Sequence, residues 1–135
     1  MTSDRITAAH ATIPDIDCQG HCRETCVAAV PMSDVERERI AAAGVQLLPL
    51  AVVLRDPVVA LRSCAALTPF GRCGVHAVRP TLCRLYGTSE GLECAWGCEP
   101  RGVLLSRSEA RALLDEVHDA GGDSDRRAMR IDGER

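Results

Sequence analysis

Eight cysteines stand in a chain of 135 residues, and they fall into three groups. Cys18, Cys22 and Cys26 lie in "CQGHCRETC", Cys64, Cys73 and Cys83 in "CAALTPFGRCGVHAVRPTLC", and Cys94 and Cys98 in "CAWGC". Thiolates are the ligands that zinc and iron–sulfur clusters take. A single cytosolic cysteine is often a small buried hydrophobe, but eight grouped this way point to metal coordination. On a regular helix, residues four apart rise by ~6 Å and residues eight apart by ~12 Å. The sulfurs of one tetrahedral zinc, with Zn–S of ~2.3 Å, must come within about 4 Å of each other. The first triplet therefore either breaks at Gly20 into a wrapping loop or holds a larger object such as an iron–sulfur cluster, each iron taking one cysteine.

Other cysteine chemistries fit less well. Neither the Cys-x3-Cys nor the Cys-x8-Cys spacing is that of a zinc ribbon, and the Cys-x-x-Cys of thioredoxin-like proteins is absent. A zinc deaminase needs His-x-Glu followed by Pro-Cys-x-x-Cys, and neither His21 nor His76 has Glu at the second place. A lone histidine is usually a surface or packing residue, and for His21 and His76 ligation and a hydrogen-bonding role beside the ligands stand as equal alternatives to that. Arg79 precedes Pro80, which forces it to be extended, and it could pair with a carboxylate to fix the loop. Alternatively, Arg79 and Arg84 offset the negative charge of metal-bound thiolates. No general-base constellation accompanies the cysteines, so no catalytic residue is assigned and an enzymatic role stays open.

Composition narrows the setting. Phe70, Tyr86 and Trp96 are the sole aromatics, so Leu, Val, Ala and some further element must hold the core. The first twenty residues lack the apolar run of a signal peptide, and no segment approaches the ~20 apolar residues of a membrane span. A cytoplasmic protein without a membrane partner is expected, and in that compartment thiols stay reduced, which favours metal over disulfides. All 16 strongly basic residues are Arg, as in a GC-rich, bacterial genome. A net charge of -3 with interspersed signs offers no face for phosphates, so nucleic acid is an unlikely partner.

The elements that must position these groups are few. Ser33 with Glu36, and Ser106 with Glu109, have capping-box spacing. They predict helices over 34–43, stopped by Gly44, and over 107–119, where Ala110, Leu113, Leu114 and Val117 share a face. His118 on that second helix is expected to matter neither for metal nor for stability. The run "QLLPLAVVL", 46–54, is β-branched and carries Pro49, predicting an edge strand or an extended packing segment. Residues 63–101 read as loops and brief helical turns, with Pro80 as the first residue of one turn. Residues 1–13 read as a flexible lead, 14–120 as the cysteine-cluster domain and 121–135 as a flexible tail. The expected fold is a small, mainly α, loop-rich, metal-stabilised domain with short helices and little or no β.

With these motifs in order, the sequence from about Ile13 to Leu114 resembles the YkgJ-type cysteine-cluster proteins, a family described as zinc- or iron-chelating. The resemblance rests on the N-terminal cysteines leading into "PMSDVERERI", on Cys-x8-Cys-x9-Cys with an embedded Arg-Pro and a following Arg, and on "CAWGCEP" before the last helix. The first cluster departs from the compact form ending in paired cysteines, and His76 stands where relatives commonly have Tyr. The resemblance implies metal binding through Cys18, Cys22, Cys26, Cys64, Cys73, Cys83, Cys94 and Cys98, without naming a reaction. Similar cysteine patterns on flagellin-lysine methylases add a redox or methyl-transfer setting by analogy. The leading expectation is a [4Fe–4S] protein serving electron transfer or an accessory step in a modification pathway, with a redox or other protein partner. The alternatives are a structural zinc adaptor with four-cysteine sites and a small iron or zinc enzyme with an open coordination position.

Overall fold

The computed structural model describes residues 2–16, 28–62, 64–68, 73–94 and 97–133. Among these, seven helices and no strand occur: α1 (Thr2–Ala11), α2 (Asp34–Ala42), α3 (Leu50–Val53), α4 (Pro57–Ala60), α5 (Thr81–Leu85), α6 (Arg107–Gly121) and α7 (Ser124–Gly133). Isolated bridges pair Ile16 with Pro100, Leu67 with Cys73 and Ser89 with Leu105. The mainly α, loop-rich expectation holds. No helix of the described residues is long and apolar enough to cross a membrane.

Both capping boxes form. The Ser33 Oγ accepts the Glu36 N–H at 3.2 Å, while the Glu36 carboxylate accepts the Ser33 N–H at 3.0 Å. At α6 the same exchange joins Ser106 and Glu109, at 3.1 and 3.0 Å. Each box satisfies amides that a helix start leaves without partners. Gly44 takes a φ of 99°, the left-handed turn that ends α2.

The segment 46–54 contains the single helical turn α3 and no edge strand. Leu50 and Val53, three residues apart, are the buried pair, a helical spacing that outweighs β-branching here. Pro49, at φ -57°, precedes the turn and lends it a pre-set entry. Pro80 likewise lies one place before α5, at its N-cap, and is not its first helical residue.

Both ends, read from sequence as flexible lead and tail, carry helices. Ile6 and Ala9 of α1 are buried against Val117 of α6. Arg5 donates to Glu116 at 2.8 Å and to Asp119 at 3.1 Å. At the other end, Asp125 of α7 is 2% exposed. Its carboxylate accepts the Met32 N–H at 2.9 Å and the Leu50 N–H at 3.2 Å, and pairs with Arg37. A charged anchor of this kind has no apolar periodicity to announce it.

Three small apolar clusters make up the described core. One joins Met32, Ile40, Ala66 and Val75, a second Ile6, Ala9 and Val117, and a third Ile13, Leu85 and Ala110.

Candidate functional site

Cys64, Cys73 and Cys83 line one cavity of about 210 Å³. Its other walls come from the segment before α2, from Ile40, and from the loop reaching Arg79 and Pro80. Cys64 follows α4, and its carbonyl accepts the Leu67 N–H at 3.0 Å in a turn. The chain then returns antiparallel: Cys73 pairs with Leu67, and the Gly74 N–H reaches the Ala66 carbonyl at 2.7 Å. A Cβ on Gly74 would stand 3.0 Å from that carbonyl oxygen, so glycine permits the close return that brings Cys73 beside Cys64. Both cysteines are half-buried free thiols packed on the Met32–Ile40–Ala66–Val75 cluster. Cys83 arrives separately, in the middle of α5.

Among the described residues, no group of three or more His, Cys, Asp or Glu is placed to hold a single metal ion. The three cysteines therefore share a cavity without closing on one ion. No protein-family model, curated protein or solved structure matches this chain.

Cys94 and Cys98 do not line this cavity. They are half-buried in the loop between α5 and α6, where Gly97, at φ 82°, turns the chain so that its N–H meets the Cys94 carbonyl at 3.2 Å. A side chain on Gly87 would meet the Cys94 Cβ at 3.7 Å, so Cys94 sits just past the C-terminal end of α5. Cys18, Cys22, Cys26 and His21 lie outside the described residues. The chain on either side of them is fixed, however. Ile16 pairs with Pro100, and the Arg101 N–H donates to the Asp15 carbonyl at 2.7 Å, next to Cys98. Ala28 lines the cavity, and its N–H donates to the Arg62 carbonyl at 2.8 Å, two residues before Cys64.

Arg79 lines the cavity, but among the described residues it pairs with no carboxylate of the kind its loop-fixing role called for. Its Nε donates to the His76 carbonyl at 3.0 Å. Arg84 donates to the carbonyls of Arg79, at 2.7 Å, and Ala77, at 3.0 Å. The two guanidiniums thus clip the turn 76–80 through its backbone. Burial, with the Arg79 charge beside it, pulls Arg84 below the usual arginine range. His76 is exposed at the start of that turn.

One structural feature beside the cavity had no chemical signal in the sequence. Glu36 is 1% exposed, and five donors surround its carboxylate. Oε1 accepts from the Ser33 N–H and hydroxyl, both at 3.0 Å. Oε2 accepts from the Thr81 N–H at 2.5 Å and its hydroxyl at 2.7 Å, and lies 3.0 Å from His10 Nε2. Burial pushes this carboxyl up, but the hydrogen bonds from His10, Ser33 and Thr81 outweigh it and hold the group at about 2. The capping-box spacing marked Glu36 as a helix start; nothing local marked it as the junction of α1, α2 and α5.

His118 also differs from expectation. It is 4% exposed, and its Nδ1 is buried without a hydrogen-bond partner among the described residues. Burial, with Arg126 nearby, pushes the imidazole below its ordinary value of 6.5. A position expected to be neutral for stability is therefore buried.

Proposed function

We propose that this chain is a cysteine-ligated iron–sulfur protein of the YkgJ type, holding a [4Fe–4S] cluster through cysteines of its three groups. It would act in the cytoplasm, in electron transfer or in an accessory step of a modification pathway, with a protein redox partner. The observation that carries the reading is the convergence of Cys64, Cys73 and Cys83 on one cavity. Two features support it. The segment holding Cys18, Cys22 and Cys26 is flanked by Ile16, paired with Pro100 near Cys98, and by Ala28 at the cavity wall, so its two flanks adjoin the other two groups. And a cluster gives each thiolate its own iron, which suits cysteines brought to one cavity from separate turns of the chain.

The donor set fits the group. Thiolates are the ligands such clusters take, the cavity is lined mainly by apolar side chains, and Arg79 at its edge contributes positive charge against an anionic thiolate cluster. When bound, the cluster would supply one-electron redox chemistry. The chain's own residues would hold it, limit water access through Val30, Met32 and Val75, and set its electrostatic surroundings through Arg79 and Arg84.

A structural zinc adaptor is the second reading. It is favoured by the position of Cys94 and Cys98 outside the cavity that Cys64, Cys73 and Cys83 share, which suits two separate centres better than one. A metalloenzyme with an open position gains nothing here, because no Asp, Glu or His is among the described residues lining the cavity.

Anaerobic purification with absorption spectroscopy and metal analysis decides between the two. A brown protein with a broad band near the violet edge of the visible supports the cluster; a colourless, zinc-replete protein supports the adaptor. Cys83→Ala and Cys22→Ala are each expected to lower metal content. Unchanged stoichiometry in both would remove these cysteines from the ligand set.

A further inference from the structure

We propose that Glu36 is the positioning residue for Cys83, holding the helix that carries this cysteine at the cavity wall. The inference rests on the metal-binding reading above, and it names the device that keeps one ligand in place.

Helix α5 has five residues, Thr81–Leu85. An isolated helix this short does not persist in water, because nucleation costs more than its few hydrogen bonds return. Something outside it must fix it. At its C-terminal end, Leu85 is fully buried with Ile13 and Ala110. At its N-terminal end, Pro80 has no side-chain cap to offer, and the Glu36 carboxylate takes its place. It accepts both the N–H and the hydroxyl of Thr81, the first helical residue. Cys83 lies midway between these two anchors, two residues from each.

The carboxylate is itself fixed. The Ser33 N–H and hydroxyl hold one oxygen from the start of α2, and His10 Nε2 of α1 faces the other. His10 Nε2 also lies 2.9 Å from the Thr81 hydroxyl oxygen. Glu36 is one residue from Arg37 and four from Ile40, both of which line the cavity. One buried side chain therefore sets the distance between the α2 wall and the α5 wall. Replacing it by Gln puts an NH2 group among donors, and at least one contact becomes donor against donor.

The test uses the full chain purified anaerobically, with metal content measured on the sample. Iodoacetamide alkylation during an EDTA challenge is followed cysteine by cysteine by mass spectrometry in wild type, Glu36→Gln, Thr81→Ala, Thr81→Ser and Val117→Ala. Glu36→Gln is expected to speed alkylation of Cys83 by about tenfold relative to Cys64 and Cys73. Thr81→Ala should show a smaller rise, and Thr81→Ser should restore the wild-type rate. Val117→Ala, which opens the α1–α6 cluster, should leave the Cys83-to-Cys64 ratio unchanged. The proposal is overturned by an unchanged ratio in Glu36→Gln, or by an equal rise in Val117→Ala, which would mark a general loss of stability. Should Glu36→Gln fail to fold, the Thr81→Ala and Thr81→Ser pair carries the same comparison. A wild type that contains no iron or zinc, yet gives the expected ratios, would sink the metal reading and leave the positioning role standing. A metal-loaded wild type with flat ratios would do the reverse.

Discussion

The acid stability of the fold should be set to a large extent by Glu36. Its carboxyl is held at about 2 against an ordinary value of 4.5, so between these limits the unfolded chain binds the proton and the folded chain resists it. Stability from this group is complete above about pH 4.5 and is lost as the pH falls towards 2. A shift of this size corresponds to about 3 kcal/mol, a large part of the 5–15 kcal/mol that ordinarily separates folded from unfolded domains. The assay is urea unfolding of wild type and Glu36→Gln at steps from pH 7 to pH 2.5. At pH 7 the variant should be less stable by about 3 kcal/mol, and the two curves should approach each other below pH 4.5. Any pH effect from the rest of the chain is common to both proteins and cancels in the difference. His118 acts earlier: its pKa is lowered in the fold, so its contribution is lost as the pH falls below its ordinary 6.5. Curves that run parallel from pH 5 to pH 2.5 would refute the reasoning, since they would mean that the fold does not hold Glu36 ionised.

Asp125→Ala should cost about 3–5 kcal/mol, because it leaves Arg37 without its buried carboxylate and strips partners from the Met32 and Leu50 amides; urea unfolding and faster hydrogen exchange at those two amides would report it. His118→Ala should cost about 2 kcal/mol from lost packing, whereas His118→Leu should match or exceed wild type, since it fills the space and removes a buried nitrogen that has no partner among the described residues; thermal melts of the pair separate the two effects. Gly122→Ala should lose about 1–3 kcal/mol, because the residue sits at φ 101° and its Cβ would run into the Asp34 carboxylate; a melt indistinguishable from wild type would argue against that turn.

What was legible in the sequence was local. Ser33 with Glu36 and Ser106 with Glu109 define helix starts within four residues, and both helices begin where the boxes place them. The Cys-x8-Cys-x9-Cys run was legible as a unit, and its three members meet at one cavity. Long-range features were not. Helix α7 is held by Asp125, a charge that reads as solvent-facing in any hydrophobicity pattern, so 121–135 looked like a tail. The burial of His118 was not legible either, since it lies off the Ala110, Leu113, Leu114 and Val117 face that the spacing along α6 marks. The run 46–54 misled in the opposite direction, since its β-branched residues suit a strand until the buried pair at Leu50 and Val53 imposes a turn.

Two buried carboxylates carry a load that aromatic side chains often take in small domains. Met32, Arg37 and Ile40 form one side of the cysteine cavity, and Pro80 and Cys83 another. The apolar cluster beside the cavity consists of Met32, Ile40, Ala66 and Val75, none of them aromatic. Asp125 fixes Met32 and Arg37, while Glu36 fixes Thr81, so both carboxylates tie down residues that wall the cavity or adjoin it. Glu36 must stay ionised to accept all its donors at once. The shape of the cavity is thereby coupled to proton concentration through Glu36, which reaches Cys83 only by way of Thr81. Acid should loosen the α5 wall, and with it Cys83, at a pH where the apolar packing of Cys64 and Cys73 on Ala66 and Val75 is still intact.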